Sequence, residues 1–190
     1  DSGYATGKLA AEAVMLAAWR DQQLPGTSLR PPHILGAGKE LGTGTVQGRD
    51  RNLLRSMRSG AGLTLLAEGE LLIQPVWHRQ IAEAIEAVAG NPATFGQLMN
   101  CPGGEAVTTR RYYQLIADRL GVALKYDSMP VGRYRAEFPG KRAFARHRVY
   151  DTSKLRNLAG FVARPQLKEA IDETVTWMET HCGMIHDKNE

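Results

Sequence analysis

The sequence predicts an α/β protein, on three observations. An unbroken helical run opens the chain, short apolar segments bounded by Gly and Pro follow, and further helical segments alternate with them. Residues 5–22 read as one helix, rich in Ala and free of Pro, and Pro25-Gly26 ends it. Residues 27–35 read as a buried strand interrupted by Pro31-Pro32, and a Gly-rich loop occupies 36–48. A short basic helix over 50–59 precedes two apolar runs, 63–67 and 71–76, which are expected to pair as a hairpin around Glu68-Gly69-Glu70. Residues 79–89 are helical, with Ile81, Ala82, Ile85 and Val88 on one face. A strand over 97–100 closes on Pro102-Gly103-Gly104. Thr108 caps a helix over 110–120 that Gly121 stops. Residues 124–126 look extended, Asp151 caps a short helix that Gly160 stops, and Pro165 opens a final helix to about His181.

With 190 residues, 43% hydrophobic and 23% charged, the chain can bury a core of one domain or a domain and a half. No apolar run approaches the roughly 20 residues of a membrane span, so no membrane partner is expected. The chain starts Asp-Ser, with no Met and no signal-like segment, as expected of a processed or partial chain. A net charge of +4, concentrated in 51–58, 110–111 and 133–148, suits an anionic ligand such as a diphosphate, or weak nucleic-acid contact. Cys101 and Cys182 form no metal-ligand pattern. No metal is expected, and reduced thiols in a cytoplasmic protein are the expectation.

Chemistry is carried first by Tyr4-Ala-Thr-Gly-Lys8. A phenol and an ammonium one helical turn apart share a face, and the ammonium favours the phenolate, bringing a pKa near 10 toward the range useful for proton transfer. The spacing alone is weak, because Tyr150-Asp-Thr-Ser-Lys154 repeats it. Context separates the two: Tyr4 starts a long helix, whereas the second copy starts a helix of about two turns and reads as structural.

Behind Tyr4 and Lys8 comes Leu29-Arg-Pro-Pro-His-Ile-Leu-Gly36. Then follow Gln74-Pro-Val-Trp-His-Arg-Gln-Ile-Ala82, Asn100-Cys-Pro-Gly-Gly104 with Thr108, and Tyr150-Asp-Thr-Ser-Lys154 through Gly160 to Pro165. In this order the segments resemble the C-terminal half of an extended short-chain dehydrogenase/reductase, the NAD-dependent epimerase/dehydratase family. The resemblance implies the C-terminal part of a Rossmann-type doubly wound sheet plus a smaller α/β substrate-binding lobe. Residues 1–35 would supply the last catalytic helix and strand, and 36–190 mainly the lobe, with segments returning to the Rossmann domain. It implies catalysis by Tyr4 and Lys8 and an NAD or NADP cofactor held by Tyr4, Lys8, Pro31 and Pro32. It also implies a nucleotide-sugar or other small-molecule substrate met by His33, where relatives often carry Asn, and by Arg142. The partners implied are a cofactor-binding N-terminal half and a second copy in a homodimer.

Departures from the family pattern stand beside these expectations. Trp77 and Gln80 replace a usual His and Asp, and Ile73 stands near a usual phosphate-binding Arg. No Gly-x-x-Gly-x-x-Gly loop follows a strand, and Ser2 is too close to Tyr4 to serve as the third catalytic residue. The departures and the basic clusters motivate an alternative, a non-catalytic or RNA-binding relative of the same fold. Residues 112–122 also mimic the first helix and turn of a helix-turn-helix. The extended segment at 124–126 and Pro130 oppose an immediate recognition helix.

Overall fold

The computed structural model describes residues 3–42 and 49–182. The rest of the predicted glycine loop, 43–48, lies outside the described residues, as does Ser2. Helix α1 (Gly3–Gln22) leads to strand β1 (Thr27–Arg30). Gln23 ends the helix in the left-handed region at φ 55°, and the Leu24 N–H closes back on the Ala18 carbonyl at 3.2 Å. Strand β2 (Ile34–Leu35), helix α2 (Leu53–Arg58), strands β3 (Leu63–Leu66), β4 (Leu72–Ile73) and β5 (Val76–Trp77), and helix α3 (His78–Val88) follow. Then come β6 (Gln97–Asn100), β7 (Val107–Thr108), α4 (Thr109–Leu120), β8 (Tyr126–Met129), α5 (Val131–Glu137), α6 (Ser153–Ala159) and α7 (Leu167–His181).

The strands pair in parallel as β1 with β6, β2 with β5 and β3 with β8, and antiparallel as β4 with β7. The expected hairpin between 63–67 and 71–76 is therefore not formed. Ala67, Glu68 and Gly69 adopt φ values of 48°, 55° and 78°, and this left-handed run turns the chain away before the two apolar segments can face each other. Each finds a distant partner instead. The strand expected at 124–126 lies further on, at Tyr126–Met129. Helix α5 begins directly after Pro130, a residue tolerated there because a helix start needs no intrahelical N–H.

The main core lies between α2, α4, α7 and β3. Leu35, Leu53, Leu65, Tyr112, Tyr113, Ile116, Ile171 and Met178 are buried there, and each such side chain contributes about 1.5–3 kcal/mol on leaving water. Helix α4 is followed by strand β8 and not at once by a recognition helix, as the extended segment and Pro130 lead the sequence to predict. The Thr108 Oγ accepts from the Arg111 N–H at 3.1 Å, and Gly121 terminates α4 at φ 68°, both as the sequence predicts. A second core joins α3, β6 and α6 through Ala84, Val88, Met99, Cys101 and Leu155. A third joins β3 to α5 through Leu66, Leu71, Tyr134 and Ala145.

The two cysteines differ in access. Cys101 is fully buried, and burial pushes its thiol up to about 11, whereas Cys182 is half-buried at the end of α7. A maleimide pulse on the native protein at neutral pH should modify Cys182 and leave Cys101 untouched until unfolding, read by peptide mass. Native modification of Cys101 would contradict this packing.

Candidate active site

Helix α1 runs antiparallel to β1. Near the start of β1 the Trp19 indole lies against Gly96, where a Cβ would sit 2.1 Å from the ring. At the end of β1, Glu12 takes a two-point ion pair from Arg30, with bonds of 2.7 and 2.6 Å. Those two contacts fix the direction of the helix. One to two turns beyond Glu12, at about 1.5 Å per residue, Lys8 and Tyr4 lie past the C-terminal end of β1. That is the end of a parallel strand pair at which α/β proteins bind ligands. The Lys8 Nζ sits 5.5 Å from the centre of the Tyr4 ring, and Tyr4 is 75% exposed.

From the same strand end the chain continues through Pro31, Pro32 and His33 into β2. Pro32 and His33 line a cleft of about 320 Å3 together with Arg49, Gln74, Arg148 and Tyr150, and Phe144 stands at its side. Arg49 is oriented by the Ile34 carbonyl at 3.0 Å and by the Glu40 carbonyl. The Arg148 guanidinium lies 5.5 Å from the Phe144 ring centre. Burial lowers the pKa of both arginines, yet guanidinium remains charged in proteins. Burial, reinforced by Arg49 and Arg148, holds His33 well below the usual 6.5 of an imidazole. Two fixed cations beside a neutral, polar ring make a cleft suited to a phosphate-bearing ligand.

Gln74 joins the segments around this cleft. Its amide donates to the Gly103 carbonyl at 2.9 Å, and its oxygen accepts from the Tyr150 N–H at 3.0 Å. Asn100 donates to the Asp151 carbonyl at 3.1 Å, so Asn100-Cys-Pro-Gly-Gly104 and the Tyr150 segment meet directly. The two glycines are there for space. A Cβ on Gly103 would sit 2.1 Å from the Pro75 carbonyl oxygen, and one on Gly104 would sit 2.3 Å from the backbone of Arg164. Gln80, buried in the same region, donates to the Arg164 carbonyl at 2.6 Å.

Of the residues picked out in the sequence, Tyr4 and Lys8 stand together on α1, and Pro32 and His33 stand together in the cleft. Pro31 is half-buried at the strand end between them. Arg142 is not among the residues lining this cleft. It lines a separate, open surface depression with Arg135 and Arg146, where its Nε donates to the Arg135 carbonyl at 3.1 Å. The cleft's own cations, Arg49 and Arg148, were not singled out in the sequence. Arg49 follows a loop without regular periodicity, whereas Arg148 stands three residues before the recognisable Asp151. Tyr150, read as structural, lines the cleft.

The mixed α/β fold, with polar groups gathered at the C-terminal ends of parallel strands, is that of Rossmann-type epimerase and dehydratase structures. The chain belongs to the NAD dependent epimerase/dehydratase family, whose profile matches residues 1–101. RMD from Pseudomonas aeruginosa, solved with NADPH, is 18% identical with a TM-score of 0.71, over 95% of this chain and 57% of that one. A dTDP-glucose 4,6-dehydratase from Bacillus anthracis, solved with NAD, is 19% identical with a TM-score of 0.70, over 97% and 54%. A UDP-N-acetylglucosamine 4-epimerase from Methanobrevibacter ruminantium, solved with UDP-N-acetylmuramic acid, is 20% identical with a TM-score of 0.71, over 94% and 54%. This chain thus spans little more than half the length of these structures, and at such identity the likeness shows the fold. No curated protein sequence matches it. Among the described residues, no helix is long and apolar enough to cross a membrane, and no three His, Cys, Asp or Glu side chains are grouped to hold a metal ion.

Two outcomes follow from the cleft and its junction. His33 is neutral when folded but takes a proton when unfolded once the pH drops below 6.5. Its contribution is therefore complete above that value and is lost as pH falls toward the depressed folded pKa. His33→Asn should flatten the dependence of Tm on pH between about 7 and 5, and an unchanged slope would contradict a buried neutral His33. Gly103→Ala, which forces a methyl onto the Pro75 carbonyl, should destabilise by about 1–3 kcal/mol in urea unfolding.

Proposed function

We propose that this chain supplies the catalytic Tyr/Lys pair and the substrate lobe of an NAD(P)-dependent epimerase, dehydratase or reductase acting on a nucleotide sugar. The observation that carries the reading is the placement of Tyr4 and Lys8 beyond the C-terminal end of β1, fixed by the Glu12–Arg30 ion pair. In this reading 1–35 belong to the Rossmann domain and 36–190 mainly to the lobe. A cofactor-binding half, carried by further sequence or by a second chain, packs against α1 and β1. The exposed apolar side chains Leu9, Val14 and Leu16 on α1 support a covering partner, either that half or a second copy in a homodimer.

The donor set fits a dinucleotide at this point. Lys8 offers an ammonium for ribose hydroxyls, Tyr4 stands one turn away on the same face, and Pro31-Pro32 give a rigid wall without N–H groups. The nicotinamide supplies hydride chemistry. This chain's residues do the rest. The Tyr4 Oη gives or takes the proton of a sugar hydroxyl, with the Lys8 ammonium beside its ring on the same helix face. Arg49 and Arg148 balance the charge of the nucleotide diphosphate, and His33 contacts the same ligand. Arg142, on its separate surface, would reach only a more distant part of such a substrate.

Assays of UDP-, dTDP- and GDP-sugars with the protein joined to its cofactor-binding half test the reading. Tyr4→Phe should lower kcat by about 10²–10⁴-fold while leaving Tm unchanged, since Tyr4 is exposed. Undiminished turnover in Tyr4→Phe would contradict it. Salt-sensitive RNA binding with no affinity for NAD(P) would favour the RNA-associated relative, a reading encouraged by the arginine depression at Arg135, Arg142 and Arg146.

A further inference from the structure

We propose that the open depression between α5 and residues 142–146 is a second anion-binding site, which takes a chain of linked phosphates apart from the cleft. The depression measures about 710 Å3 and is lined by Gly132, Arg135, Ala136, Arg142, Ala143 and Arg146. None of these residues lines the cleft of His33, Arg49 and Arg148. The two sites nevertheless draw on one short segment. Arg142, Ala143 and Arg146 line the depression, while Phe144 and Arg148 line the cleft. Positive charge is concentrated here. Residues 133–148 hold six Lys and Arg against one acidic residue, Glu137, so this stretch alone exceeds the net +4 of the whole chain.

Two of the three arginines are held by backbone carbonyls. The Arg135 Nη2 donates to the Ala145 carbonyl at 3.0 Å, and the Arg142 Nε donates to the Arg135 carbonyl at 3.1 Å. These bonds cross-link α5 to the segment that follows it, and Tyr134, buried with Leu66, Leu71 and Ala145, anchors the helix. Each bond occupies one of the five N–H donors of a guanidinium and leaves its charge in place. Glu137, the one carboxylate of the stretch, is engaged by Arg133 at 2.6 Å. Elsewhere Arg110 pairs with Glu70 and Arg164 with Glu83, but no carboxylate among the described residues pairs with Arg135, Arg142 or Arg146. Three guanidiniums gathered in this way repel one another, and a multivalent anion between them removes that repulsion.

The lining also selects the kind of anion. Besides the arginines it consists of Gly132, Ala136 and Ala143, so its lining residues include no ring to stack a base and no carboxylate or amide to read a sugar. Recognition is therefore of charge and of oxygen acceptors. A guanidinium fork matches phosphate oxygens in paired hydrogen bonds, and linked phosphates reach several forks at once. A short polyphosphate and the backbone of a nucleic acid share that chemistry. The inference does not depend on Tyr4, Lys8 or the nucleotide-sugar reading.

The test is isothermal titration of the protein with inorganic tripolyphosphate at low salt. Binding at the depression should weaken about tenfold in Arg146→Gln, as for loss of a hydrogen bond to a charged group. Ala143→Glu, which puts a carboxylate among the arginines without removing their backbone bonds, should abolish it. Arg49→Gln, in the cleft, should leave it in place. Ala143 and Arg146 are exposed, so an unchanged Tm in each variant checks that the fold persists. An oligouridylate separates the two sources. Binding tighter than that of tripolyphosphate, and lost in Ala143→Glu, assigns the site to a nucleic-acid backbone, and weaker binding assigns it to a free polyphosphate. Either result supports the site. No tripolyphosphate binding, binding that vanishes entirely in Arg49→Gln, binding unmoved by Ala143→Glu, or sulfate bound as tightly as tripolyphosphate would overturn the proposal. No readout needs NAD(P) or a sugar, so failure of the enzymatic reading and failure of this one are seen separately.

Discussion

The parallel pairing of β1 with β6, in the register Thr27 with Gln97 through Arg30 with Asn100, is the constraint on which the rest of the arrangement depends. It places the ends of both strands side by side, so that Pro31-Pro32-His33 and Cys101-Pro102-Gly103 leave the sheet at one edge. Arg30 at that edge takes Glu12 and thereby sets how far α1 reaches past it. An exposed ion pair contributes little stability as a rule. Its two-point geometry here matters for direction, because it ties a helix whose own residues are mostly exposed to a strand end.

The chemistry then divides between two surfaces. Tyr4 and Lys8 on α1 are open to solvent. The cleft of His33, Arg49 and Arg148 is partly open, Arg49 is held by the Ile34 and Glu40 carbonyls, and Tyr112 lies against His33. In the proposed reading, a sugar bound at the arginine-lined cleft is brought to the exposed phenol across one proline-rich turn. Gln74 maintains the join from behind by holding Gly103 and Tyr150 at once.

Much of this was legible in the sequence where a local rule decided the structure. Thr108, Gly121 and Gly160 mark helix ends by capping and left-handed φ, and the structure places those ends where the residues predict. The ordered segments also revealed the family. What the sequence concealed was non-local. Residues 63–67 and 71–76 read as a hairpin because alternation says nothing about which partner a strand takes, and the left-handed turn at Ala67, Glu68 and Gly69 contains two residues that seldom adopt it. Arg49, Arg148 and Tyr150 were hidden for the same reason: they meet His33 only through tertiary packing. Arg142 matched by position along the chain but lines a different depression, although Phe144 and Arg148 of the same irregular segment line the cleft.

The central claim is that Tyr4 and Lys8 form the proton-transfer and ribose-holding pair of a two-part active site. The most direct measurement is a crystal structure of the protein joined to its cofactor-binding half, with NAD(P) bound. The account predicts Lys8 Nζ at hydrogen-bond distance from the nicotinamide ribose hydroxyls, Tyr4 Oη within about 2.6–3.2 Å of a ribose or sugar hydroxyl, and Pro31-Pro32 against the nicotinamide. A bound cofactor with Tyr4 and Lys8 still facing solvent, away from the ribose, would contradict it.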